Sequence, residues 1–121
     1  MSTVGIASVA QDTLSFVAIG VPNGPGLFAQ GSSAPSGDLG VTFGDGLLCV
    51  GGSIQRLGIA FASANTAQFP TTASALDVHQ LGSCSPGDTR VYQSWYRDAA
   101  PSYCSSALFN LTNAVRLTWT P

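Results

Sequence analysis

The chain has 121 residues, 45% of them apolar and only 8% charged, with a net charge of -2. That length holds one domain, because independent domains usually need about 100 to 150 residues. Four arginines, six aspartates and no lysine or glutamate leave no basic stripe for nucleic acid, no polybasic patch for a membrane surface, and no Schiff-base or glutamate acid/base chemistry.

Period two dominates the chain. Residues 13–19 begin with polar and apolar alternation and close on Gly20-Val21-Pro22-Asn23-Gly24-Pro25-Gly26, which predicts a strand and its turn. A short strand at 27–30 leads into a Gly/Ser/Pro loop at 31–38. After Val41-Thr42-Phe43, the triplet Gly44-Asp45-Gly46 signals a hairpin, with Asp-Gly supplying the positive φ angles. Strands at 47–50 and 54–61 follow, separated by Gly51-Gly52-Ser53 as a bulge or tight corner. Residues 62–73 read as a loop and 75–81 as a strand. Beyond the turn Ser85-Pro86-Gly87-Asp88, a strand at 89–97 places Val91 and Trp95 on one face and Tyr92 and Tyr96 on the other. The last strand, 113–120, points Val115, Leu117 and Trp119 inward and Arg116 and Thr118 outward.

Eight or nine short strands with turn signals between them, and no helical period, predict an all-β fold: an antiparallel β-sandwich, Ig-like or jelly-roll-like. The predicted core is Leu14, Phe16, Ile19, Phe43, Leu48, Ile54, Leu57, Val91, Trp95, Val115, Leu117 and Trp119. The apolar runs are far shorter than the roughly 20 residues of a membrane-spanning helix. Met1-Ser2-Thr3-Val4 has neither the positive start nor the apolar stretch of a secretory signal. A lysine-free, Ser/Thr/Gly-rich chain with three cysteines is nevertheless typical of exported proteins. A secreted, extracellular or cell-surface location is therefore expected, with an upstream signal or domain removed.

Cys49, Cys84 and Cys104 match no zinc-site spacing, so no structural metal is expected. Cys49 lies in an apolar strand-like run and Cys104 in a loop after the most aromatic segment, which favours a Cys49–Cys104 disulfide over three buried thiols. Asp77 and His79 are two apart on the strand predicted at 75–81 and would share a face, the arrangement of a carboxylate orienting an imidazole. No G-x-S-x-G elbow or other nucleophile motif accompanies them, so a catalytic role is not expected. Asp38, Asp45, Asp88 and Asp98 sit in loops, where turn preference explains them better than Ca²⁺, and no cofactor is expected. The strongest binding signal is the cluster Tyr92, Trp95, Tyr96 and Tyr103 beside Arg97 and Asp98. Exposed rings there would stack on sugars or flat polymer chains while the charged pair bonds hydroxyls. Asn110-Leu111-Thr112 fits the glycosylation sequon.

Three segments taken together resemble a known module. They are Phe43-Gly44-Asp45-Gly46-Leu47-Leu48-Cys49-Val50-Gly51-Gly52, Gln93-Ser94-Trp95-Tyr96-Arg97-Asp98 and Phe109-Asn110-Leu111-Thr112-Asn113. The likeness, over residues 13–121, is to an uncharacterised C-terminal β-sandwich module of large exported proteins from planctomycetes, myxobacteria and similar environmental bacteria. The resemblance implies a module that closes the polypeptide, has no activity of its own, and carries cysteines at the positions of Cys49 and Cys104. Cys84 departs from that pattern, and Thr120 stands where some relatives end in cysteine.

The resulting expectation is a non-catalytic accessory module that binds a carbohydrate or other polymer surface, or retains its protein at the cell surface, through Tyr92, Tyr96, Arg97, Asp98 and Tyr103. The alternative is self-association through strand edges left poorly guarded by the shortage of charge. A small hydrolase built on Asp77 and His79 is the third reading.

Overall fold

The structure, a computed structural model, describes residues 1–99 and 106–121. The elements run β1 (Ser2–Val4), β2 (Ser15–Ile19), β3 (Gly24–Gly31), β4 (Val41–Phe43), β5 (Gly46–Leu48), β6 (Gln55–Ala62), β7 (Thr66–Phe69), α1 (Val78–Gly82), β8 (Thr89–Arg97), β9 (Phe109–Leu111) and β10 (Val115–Thr118). The fold is all-β, and its strand pairs are antiparallel. One sheet has the order β1-β2-β7, and a second has the order β10-β8-β3-β6. Strand β9 pairs with the far half of β8, beyond β10, and β4 with β5 forms a separate hairpin.

Alternation decides what each strand buries. In β2, Phe16 and Ala18 turn inward, and in β7 Ala67 and Phe69 do the same. Phe28 of β3 and Tyr92 of β8 face them from the five-stranded sheet. The ring centroids of Phe16 and Tyr92 lie 4.7 Å apart and those of Phe28 and Phe69 5.2 Å apart, within the range of favourable aromatic pairs. A β-bulge in β6 opposite Phe28 and Ala29 turns Leu57 inward and leaves Arg56 and Ile59 on the outer face. Gly58 beside it has no side chain because a Cβ there would lie 2.6 Å from the Phe69 ring.

Several sequence expectations are corrected. The loop expected at 62–73 contains β7, whose Thr-Ala-Gln-Phe alternation is masked by its small residues. The strand expected at 75–81 is the one-turn helix α1, which buries Val78 completely. Asp77 precedes the helix, and its N–H donates to Gln80 Oε1 at 3.0 Å, half of a capping box. Ser83 ends the helix in the left-handed region at φ 49°. The hairpin loop is Gly44-Asp45, with the positive φ of 61° at Gly44 rather than on an Asp-Gly pair. Ile19 is exposed, because alternation cannot bury it on the same strand as Phe16 and Ala18. Phe43 and Ile54 are exposed and Leu48 and Trp95 half-buried, all on the outer side of the five-stranded sheet.

Candidate functional site

The outer face of the five-stranded sheet can be written as rows from the register. Arg56, Ala29 and Gln93 make one row; Ile59, Leu27, Trp95 and Leu111 make the next; Phe61 faces Pro25, and Phe109 faces Arg97, in a third. Residues opposite each other in antiparallel strands share a face, so the middle row is an unbroken apolar band across four strands. The β4–β5 hairpin leans over one side of it, and a groove of about 600 Å³ lies between them. That volume falls within the roughly 300 to 1,000 Å³ of small-molecule sites.

Gln93 attaches the hairpin to the sheet. It is buried, its carboxamide N–H groups donate to the carbonyls of Leu47 at 2.8 Å and Thr112 at 2.7 Å, and its Oε1 accepts from the Cys49 N–H at 2.9 Å. The turn is seated on β9: Asp45 N–H donates to the Phe109 carbonyl at 3.2 Å, and any Cβ on Gly44 would run into the Phe109 ring. Phe109 stands 5.0 Å from Phe43 and 5.5 Å from Trp95, tilted 53° and 45° respectively. The three rings therefore make an angular corner of the groove rather than a flat platform.

Of the residues predicted to bind a ligand, Tyr92 and Tyr96 lie on the opposite face of β8 from the groove. Tyr92 is 1% exposed and belongs to the core, and its hydroxyl accepts from Trp119 Nε1 at 2.8 Å. Burial pushes its pKa well above the usual tyrosine value. Tyr96 is half-buried on the same inner face, where it packs against the core and burial also raises its pKa. Alternation separates both rings from Trp95 and turns them toward the core, so Tyr92 presents no ring face to solvent and Tyr96 presents part of one. Arg97 is exposed at the end of β8, and the Asp98 N–H donates to the Leu108 carbonyl at 3.0 Å. Tyr103 and Cys104 lie outside the described residues. Cys49 is half-buried and has no disulfide partner among the described residues.

The Asp77–His79 pairing is also replaced. Asp77 sits at the start of α1, and His79 pairs instead with Asp12, whose carboxylate accepts from His79 N–H at 2.6 Å and lies 3.1 Å from His79 Nδ1. The same carboxylate accepts from Leu14 N–H at 3.0 Å. Asp12 is the imidazole's hydrogen-bond partner among the described residues, which is an arrangement for anchoring α1 to the start of β2. Among the described residues no group of three or more His, Cys, Asp or Glu side chains could hold a metal ion.

Gln30, like Gln93 and Asp12, has a structural role that the sequence did not signal. Gln30 is buried, donates from Nε2 to the Gly82 carbonyl at 2.6 Å, and accepts from the Cys84 thiol at 3.5 Å. Cys84 Sγ also lies 3.7 Å from the Tyr92 hydroxyl, and burial pushes its pKa up. Together they link α1 to β3 and β8. The groove itself had one signal: residues 54–61 carry Ile54, Ile59 and Phe61 as well as Leu57 and Ala60, more apolar side chains than one buried face can take.

Comparison with protein-family models, with curated proteins and with solved structures found no match. The function is therefore argued from the groove.

Proposed function

We propose that this chain is a non-catalytic binding module of an exported protein, a two-layer β-sandwich that holds an apolar chain or polymer surface against the outer face of its five-stranded sheet. The observation that carries this reading is the groove between β8 and the β4–β5 hairpin, where Trp95, Phe43, Phe109, Leu27 and Ile59 meet in an otherwise weakly charged molecule. Apolar surface of this kind left open to water marks a binding site in soluble proteins. The sandwich assignment rests on the facing aromatic pairs between the two sheets. Export is supported by the composition and by the likeness to the C-terminal modules.

Sugar stacking needs a flat aromatic platform, and the tilted rings do not supply one, so an aliphatic chain or polyester suits the groove better than a polysaccharide. A retention assay on insoluble polyesters, alkyl-coated beads, cellulose and chitin tests this. Retention on the first two that is lost in Trp95→Ala supports the reading; retention on the polysaccharides alone, or none affected by Trp95→Ala, rejects it.

Self-association is kept as a second reading for one observation. Strand β6 ends its sheet and exposes Ile59 by 56% and Phe61 by 73%, with Arg56 as its single charge. A mass that stays monomeric by light scattering over a wide concentration range rejects it.

A further inference from the structure

Among the described residues, Arg56 is the one charged side chain that lines the groove. Gln93 is its other polar wall residue, but all three of its hydrogen-bonding positions described above are already used within the protein. Arg56 differs. Its side chain is exposed at the groove wall, opposite Ala29 and one row from the apolar band of Ile59, Leu27 and Trp95. Two of the four arginines are neutralised locally, Arg90 by Asp88 at 2.8 Å and Arg116 by Asp38. Arg56 has no ion-pair partner among the described residues. No acidic side chain lines the groove.

A single cation beside an apolar trough complements a molecule with one anionic end and one apolar chain. From the row of Gln93 to that of Arg97 is four residues of β8, about 13 Å of strand, so the trough suits a chain rather than a compact ring. We propose that the groove binds a single-chain aliphatic carboxylate, with its carboxylate at Arg56 and its chain along Ile59, Leu27 and Trp95 toward Phe109. This inference rests on the binding reading above and adds the ligand class and the residue that recognises it.

The test is a titration of the intact chain with dodecanoate and with dodecanol, below micelle-forming concentrations, followed by tryptophan fluorescence. Trp95 lines the groove while Trp119 is buried, so a ligand in the groove perturbs Trp95. Lengthening the carboxylate should tighten binding by up to about fourfold per methylene buried. Arg56→Gln should weaken dodecanoate binding by up to about fivefold, the range of a solvent-exposed ion pair, and leave dodecanol unaffected, while Arg56→Lys should retain most of the preference. Added salt should weaken dodecanoate alone. Arg56 is exposed, so folding of these variants is checked simply by their unchanged thermal unfolding.

If dodecanoate and dodecanol bind alike to the native chain and to Arg56→Gln, the carboxylate proposal fails while an apolar binding site stands. If Arg97→Gln, at the other end of the trough, weakens dodecanoate as much as Arg56→Gln, Arg56 is not the residue that recognises the carboxylate and the proposal fails. If neither ligand changes the fluorescence and alkyl beads do not retain the chain, the binding reading fails with it. A concentration-dependent dimer that excludes dodecanoate would assign the groove to a second copy and overturn the proposal.

Discussion

Strand β8 sends neighbouring rings into two different settings, Tyr92 to its inner face and Trp95 to its outer face. On the inner side the strand packs into the core cluster, where the ring centroids of Phe16 of β2 and Tyr92 lie 4.7 Å apart. Buried polar groups there are paired: the Tyr92 hydroxyl meets Trp119 and Cys84, and Gln30 meets Gly82. On the outer side, over the Trp95 end of the strand, the cover is a hairpin of three-residue strands, held by Gln93 and by its turn on Phe109. The residue types on the two faces are similar. What separates core from groove is how much chain is laid over each face, and a short hairpin cannot close the area that a sheet can.

The sharpest way to break this comparison is to truncate a ring on each side. Phe16→Ala, at a fully buried position, should lower stability by about 3–5 kcal/mol in urea unfolding. Trp95→Ala should cost distinctly less in the same experiment while abolishing retention on alkyl surfaces. Equal losses of stability would mean that the outer face is core as well.

Gln93→Ala addresses the attachment of the hairpin. It strands the Cys49 N–H and the carbonyls of Leu47 and Thr112, at about 1–3 kcal/mol for each that stays buried. Hydrogen exchange should then accelerate at residues 41–48 and stay slow in β2, β3 and β7. Uniform acceleration over the whole chain would show that the hairpin does not open on its own. Gly58→Ala tests the tightness of the inner face, where the added methyl meets the Phe69 ring and should cost about 1–3 kcal/mol in thermal or urea unfolding.

The smallest effect concerns pH. Burial raises the pKa of both Cys84 and Tyr92, so the folded protein keeps protons that the unfolded chain releases. Their contribution to stability is complete below the ordinary thiol value of 9.0 and falls as pH rises through it and then through the tyrosine value of 10.0. Tyr92→Phe should flatten the decline above about pH 10, and Cys84→Ala should flatten its onset near pH 9, in urea unfolding measured at each pH. A pH-independent native protein across that range would place both groups in contact with water.

Much of the strand content was legible because period two and turn residues are local. The alternation at 89–97 and 113–120 correctly separates Tyr92 from Trp95 and Leu117 from Arg116. The helix at Val78–Gly82 was hidden because Leu76-Asp77-Val78-His79 alternates apolar and polar as a strand does, although Asp77 and Gln80 stand at capping-box spacing. That Tyr92 belongs to the core was hidden for a different reason. Alternation says that Tyr92 and Trp95 lie on opposite faces but not which face meets the core, and that choice put Tyr92 and Tyr96 against the core and Trp95 in the groove.

The sequence by itself determined an all-β chain with antiparallel neighbours, a nearly neutral surface and no basic footprint for nucleic acid. These follow from the side-chain period along each segment and from composition, which need no knowledge of distant residues. Only the tertiary structure decided which aromatic rings are core, that Asp12 rather than Asp77 holds His79, and that Arg56 stands beside an apolar groove. Each of those depends on contacts between segments tens of residues apart, where sheet order and the bulge in β6, rather than local preference, set what each side chain meets.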